Sequence, residues 1–361
     1  MFVNRMPRFE VLDEDGLATL DRGWERLATE VGVRFDHPRA LDLFREAGQR
    51  VEDEVVHFEP GFLRAQAARA PARFTLRARN RARDLVVGGE HMVFGAVNGP
   101  PFVRVDGVRR DGELADFENL LKLVQVSEVL DTPGRNLLEP NDVPLDVRHL
   151  VRALAAIRLT DRVWSGEPSS EAAAHDCLRM AEIVHGGRAA IEQQPVLFAN
   201  VNVNSPLHFD VRMLDGLLAY AEAGQAIIVT PFLLMGAMAP VSAPAALVQQ
   251  TTEALAGIAL AQLVRPGTPC VLGSFLSTTD MKTGSPAFGG PESAFGLYAS
   301  GQVARRLGLP WRSGGGTLTT SQAVDFQAGY EAFNPLLAAF LAGANVCWQS
   351  AGWLEGGLVT S

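Results

Sequence analysis

Three asparagines spaced two apart, Asn200, Asn202 and Asn204, sit in the stretch QPVLFANVNVNSPLHFD (194–210). Strand side chains alternate, so the amides share one face while Leu197, Ala199, Val201 and Val203 share the other. Further along, Arg312 carries a guanidinium suited to clamping a carboxylate; the competing reading is a surface ion pair. Gly314, Gly315 and Gly316 follow it and offer backbone N–H groups to an anion, although such runs commonly serve only as tight turns. Ser274 and Gln349 are polar groups near the ends of other apolar runs, and Glu139, Glu331 and Glu355 are candidate charge partners. Aromatic residues gather late in the chain: Phe232, Phe275, Phe288, Trp311, Tyr330, Trp348 and Trp353. The seven histidines are scattered, with no Ser-His-Asp ordering and no HExxH or HxxE spacing, so no bound metal is indicated. His208, just past the asparagines, reads as a structural histidine.

For these groups to converge, strands must bring their ends together. From about residue 91 the pattern alternates strand and helix roughly eight times, as a (β/α)8 TIM barrel requires. The expected strands are Met92–Val97, Val129–Leu138, Arg162–Gly166, Pro195–Val203, Ala226–Pro231, Thr268–Phe275, Pro310–Gly314 and Asn345–Ser350. Amphipathic helical stretches lie between most of them. In such a barrel the outer strand face is apolar beneath helices, so the asparagines point inward near the C-terminal strand end. A solvated amphipathic strand is the alternative. On the last strand the amide-bearing face, Asn345, Cys347 and Gln349, is expected inside. Trp348 then falls beneath a helix, and Trp353 lines the mouth. Residues 1–90 read as an N-terminal helical and β-ribbon region, and 91–361 as the barrel domain. A doubly wound sheet is the competing architecture, but no GxGxxG follows a strand. Little chain remains after the last strand for an eighth helix, which suggests a C-terminally shortened chain or a partner covering that edge.

With 361 residues, 47% of them hydrophobic, the chain can bury a large core. A net charge of −9 argues against a nucleic-acid partner. Cys177, Cys270 and Cys347 lie far apart without a CxxC, which fits a reducing cytoplasm. The run from Ala226 to Val248 is apolar but broken by Pro231, Pro240 and Pro244. A strand, loop and helix explain it better than a membrane span.

Several segments resemble the trimethylamine methyltransferase family, including its glycine betaine branch. They are MGAMAPVSAPAALVQQTTEALAGIALAQLVRPGTPCVLGSF, STTDMKTGSPAFGGPESAFG, LPWRSGGGTLTTSQAVDFQAGYE and LLAAFLAGANVCWQSAGWLEGGL, with ALDLFREAGQRVED and NDVPLDVRHL earlier. The resemblance implies a barrel enzyme that moves a methyl group from a methylated amine to the cobalt of a separate corrinoid protein. No tightly bound cofactor is implied, and a homo-oligomer is possible. The chain departs from the family in three ways. Where relatives read LTDSK it has Leu318-Thr319-Thr320-Ser321-Gln322. Where they often carry a histidine on the last strand it has Gln349. It also contains no pyrrolysine, the residue tied to trimethylamine.

A quaternary amine, glycine betaine or a related betaine, is therefore the expected methyl donor. Its nitrogen has no N–H, so aromatic faces must hold it, while Arg312, the asparagines and Gln349 are available for a carboxylate. The expected substrate-binding set is Asn200, Asn202, Asn204, Phe232, Ser274, Arg312, Tyr330, Glu331, Gln349 and Trp353. The alternatives are a trimethylamine methyltransferase-like enzyme, a betaine-binding protein without catalysis and, less favoured, an unrelated barrel lyase.

Overall fold

The computed structural model describes residues 1–134, 136–314 and 316–360. Its architecture is mixed α/β. Seven strands run parallel: β1 (His91–Phe94), β2 (Trp164–Gly166), β3 (Leu197–Asn202), β4 (Ala226–Thr230), β5 (Cys270–Gly273), β6 (Trp311–Ser313) and β7 (Val346–Cys347). Their order in the sheet is β2-β3-β4-β5-β6-β7-β1, every neighbouring pair parallel. The segment at 132–134 bridges both ends, Gly95 to Thr132 and Gly134 to Trp164. A strand was expected over Val129–Leu138, but only these isolated bridges form. Pro133 has no N–H to donate, and Gly134 turns to φ 66°, so pairing here stops at single bridges.

Parallel neighbours need crossovers, and helices supply them. They are α1 (Leu114–Val126), α2 (Leu145–Leu159), α3 (Glu171–His185), α4 (Val211–Glu222), α5 (Ala243–Val264), α6 (Pro291–Arg306) and α7 (Phe326–Ala342). Apolar residues at helical spacing bury one face of each, and polar caps start several. Asp210 accepts from Met213 N to begin α4, and Asp325 accepts from Ala328 N to begin α7. α5 is buried on nearly every face, its polar residues Gln249 to Glu253 included, because it is covered on both sides. Strands lie within, and the N-terminal helix Glu14–Arg26 packs outside, where Thr252 Oγ1 donates to the Trp24 carbonyl. No helix among the described residues is long and apolar enough to cross a membrane.

The strands separate two apolar groups. Leu197, Ala199 and Val201 pack outward with the helices. Phe198, Ile228, Val271, Val346 and Val93 pack inward. The antiparallel hairpin Arg73–Leu76 with Leu85–Gly88 continues the sheet from β1 and adds Leu76, Leu85 and Val87 to the inner group. On β7 the expected orientation is reversed. Val346 and Trp348 face inward and Cys347 outward. Trp348 meets Phe198 edge to face, with ring centres 5.6 Å apart. The space for its ring comes from Gly95, where a Cβ would lie 1.9 Å from Trp348 Cε3. Asn345 is taken up structurally: its Oδ1 accepts from Trp311 N and its Nδ2 donates to the Gly89 and His91 carbonyls.

Candidate functional site

Above the inner apolar layer, past the C-terminal strand ends, lies a cavity of about 770 Å³. The next inward positions on the same strands line it. On β3 the alternation that turns Phe198 inward does the same for Asn200 and Asn202, and on β4 Thr230 follows Ile228. Thr230 Oγ1 donates to Asn200 Oδ1 at 3.0 Å, and Asn200 Nδ2 donates to Asn202 Oδ1 at 2.9 Å. Asn204 reaches the rim, but its amide is engaged with Asp210: Nδ2 donates to Oδ2, and Oδ1 accepts from the Asp210 N–H.

Arg312 projects into the cavity from β6, and only 4% of it is exposed. It belongs to a strand, not to a surface loop. Nη1 donates to the Ser274 carbonyl and Nη2 to Gln349 Oε1, both at 3.2 Å, while Nε has no partner. No carboxylate pairs with it among the described residues, which overturns the surface ion pair. Burial pushes its pKa down to about 10, so it keeps its proton at neutral pH.

Gln349 reaches the cavity because its backbone is left-handed, φ 53°. Its N–H donates to the Ala96 carbonyl, and its own carbonyl accepts from the Thr317 N–H and hydroxyl. Three hydrogen bonds thus hold a conformation that a non-glycine residue rarely adopts. Phe232, Phe275 and Trp353 supply an aromatic wall. Phe232 and Phe275 stack at 4.2 Å, and Phe288 links Phe275 to Trp353.

Three expected site residues are elsewhere. Ser274 is buried behind Arg312, its hydroxyl accepting from Trp311 Nε1, and it supports the guanidinium through its carbonyl. Tyr330 is 56% exposed on α7, with a helical periodicity that turns it to solvent. Glu331, on the same helix, accepts from Thr319 and Thr320 and anchors their turn. The glycine run serves close packing. A Cβ on Gly314 would lie 2.3 Å from the Ser274 carbonyl oxygen, and the Gly316 N–H is taken by the Trp348 carbonyl. Gly315 lies outside the described residues.

The candidate set omitted Asn98, Phe275, Met238 and the wall formed by Ser205 and Pro206, all of which line the cavity. The Ser-Pro pair directly after the asparagines was the available signal for that wall.

A family model described as Trimethylamine methyltransferase (MTTB) matches residues 1–361. The chain belongs to the trimethylamine methyltransferase family. Glycine betaine methyltransferase of Desulfitobacterium hafniense (strain Y51) is 40% identical over 351 residues, 97% of this chain and 73% of that protein. Proline betaine:corrinoid methyltransferase of Eubacterium limosum is 26% identical, covering 98% of this chain and 74% of that one. Among solved structures, the Methanosarcina barkeri monomethylamine methyltransferase matches with a TM-score of 0.50 at 12% identity, over 93% of this chain and 74% of that one. That last likeness concerns the fold alone. In this family member the left-handed Gln349 and the buried Arg312 form one hydrogen-bonded pair at the cavity floor.

Proposed function

We propose that this protein transfers a methyl group from a betaine, with glycine betaine the foremost candidate, to a corrinoid carried by a separate protein. The observation that carries the reading is Arg312: a buried guanidinium that no carboxylate pairs with among the described residues and whose Nε has no partner, lining a cavity that also has an aromatic wall. An unpaired buried charge is costly, and a ligand carboxylate relieves that cost. A quaternary nitrogen offers no N–H, so ring faces hold it, at about 0.5–2 kcal/mol each. Phe232, Phe275 and Trp353 are placed for that. The named activities of the betaine relatives support the same donor class.

The corrinoid supplies the nucleophilic cobalt that accepts the methyl group. This chain's residues bind and aim the donor. The C–N bond breaks with its electron pair left on nitrogen, so the amine departs neutral and no general acid is required. The cavity is lined mainly by amides, one guanidinium and aromatic rings, and the one imidazole at its rim, His208, is engaged with Asp36. Positioning is then most of what the protein contributes. We further read the seven parallel strands and the segment at 132–134 as a closed (β/α)8 barrel, residues 91–361, with residues 1–90 attached; the two bridges at Gly95 and Gly134 support it. Calorimetry of the protein with glycine betaine and with trimethylamine tests the function. Glycine betaine is expected to bind and trimethylamine to bind far more weakly; the reverse order refutes the reading.

A further inference from the structure

A second buried charge flanks the same cavity. Glu253 is the one charged residue in α5 and is completely buried. It lies behind the wall made by Ser205 and Pro206. Its Oε2 accepts from Ser205 Oγ at 2.6 Å. Its Oε1 accepts from the Leu207 N–H at 2.7 Å and from Gln249 Nε2 at 2.9 Å. The Gln249 amide nitrogen also donates to the Met238 carbonyl, which fixes its orientation. Burial pushes the Glu253 carboxyl pKa up, and the three donors oppose that rise by favouring its ionised form. No lysine, arginine or histidine pairs with it among the described residues.

Ionised, Glu253 and Arg312 are opposite charges, each buried and without a counter-ion among the described residues, Arg312 lining the cavity and Glu253 behind its Ser205–Pro206 wall. Either alone is an expense that packing does not explain. Together they make a field across the cavity, and a dipolar molecule is stabilised by lying along it. We propose that Glu253 is a positioning and specificity residue: it selects zwitterions over simple anions, and sets their direction with the onium end toward the Ser205–Pro206 wall and the carboxylate on Arg312. The inference rests on the betaine reading and deepens it.

The test uses three probes: glycine betaine, tetramethylammonium, which keeps only the onium end, and 3,3-dimethylbutanoate, in which carbon replaces the charged nitrogen. Each is titrated into the wild-type chain and into Glu253→Gln. The variant is expected to weaken glycine betaine and tetramethylammonium by roughly threefold to thirtyfold, and to leave 3,3-dimethylbutanoate unchanged or tighter. Equal weakening of all three means that Glu253 only pins the loop, and overturns the proposal. No change in any of them overturns it as well. Should Glu253→Gln fail to fold, Glu253→Met removes the charge with an apolar chain of like length and is read the same way. Wild-type protein that binds none of the probes refutes the betaine reading itself, a result distinguishable from any effect of the variants.

Discussion

The inward positions of the strands form two layers that differ by one step of the pleat. The lower layer, Val93, Phe198, Ile228, Val271 and Val346, is apolar and closed beneath by the hairpin at 73–88. The upper layer, Asn200, Asn202, Thr230 and Arg312, is polar and opens into the cavity. The strands that build both are the same, so the division belongs to depth, not to element. The lower layer holds the sheet together by burial. The upper layer carries polar groups whose hydrogen-bonding capacity is only partly used, Arg312 above all. On the proposed function, stability and ligand recognition are stacked along one axis, and substitutions should separate them.

The largest effect belongs below. Phe198 is fully buried against Trp348. Phe198→Ala should cost about 3–5 kcal/mol of stability, from lost transfer energy and the cavity left behind. Chemical denaturation measures it. A loss under about 1 kcal/mol would mean that the lower layer repacks freely, and the comparison between layers would fail.

Arg312→Met reverses the pattern. Glycine betaine binding should weaken roughly tenfold to a hundredfold, as expected for losing a charge-assisted contact of about 1.5–3 kcal/mol. An amine without a carboxylate should lose little. Stability of the ligand-free protein should not fall. The folded pKa of Arg312 is about 10, below its ordinary 12.5, so burying the charge destabilises the fold wherever pH is below about 10. That cost lessens as pH rises from about 10 toward 12.5. Arg312→Met should therefore melt higher than wild type at neutral pH, with the gap narrowing above about pH 10. Thermal melts across pH test the sign, and a lower melting temperature at neutral pH would make Arg312 a structural residue.

Period-two alternation made the inward turn of Asn200 and Asn202 legible from sequence, because Leu197, Ala199 and Val201 left the opposite face no polar role. Most of the helices were legible for the same kind of reason, each burying one apolar stripe; α5, covered on both sides, is the exception. The last strand was misread because alternation was carried straight through Gln349. Val346 and Trp348 face inward by the strand's own alternation, and the left-handed backbone at Gln349 breaks the count so that its side chain still reaches the cavity. Gly95 and Gly134, beside that indole, were the trace of it. Tyr330 was expected in the site as one of the late aromatics and Glu331 as a charge partner, but helical geometry carries them away from the cavity. Glu253 was overlooked although it interrupts an otherwise uncharged helix, since burial and partners only emerge once the 203–209 loop is folded against it.

Intermediate effects come from the aromatic wall. Phe232→Ala should weaken glycine betaine by about 0.5–2 kcal/mol. The loss for 3,3-dimethylbutanoate, the isostere without the onium charge, should be smaller, since that ligand loses contact area but no cation–π attraction. Calorimetry with both ligands compares them. Equal losses would reduce the ring to an apolar surface and move the recognition of charge to the buried residues alone.

The smallest effect tests whether the upper layer is itself graded. Thr230, Asn200 and Asn202 form a chain of hydrogen bonds running from a buried hydroxyl to an exposed amide. Removing the exposed end lets water replace the lost partner, so Asn202→Ala should change betaine affinity by less than about fivefold, in line with a net hydrogen-bond contribution near 1 kcal/mol. Thr230→Val acts at the buried end. It deprives Asn200 Oδ1 of its donor and frees the amide to rotate, so its effect on affinity should exceed that of Asn202→Ala. Titration of both variants with glycine betaine decides the order. If Asn202→Ala is the more damaging, the amide itself touches the ligand, and the polar layer reads its substrate from the rim and not from the buried end of the chain.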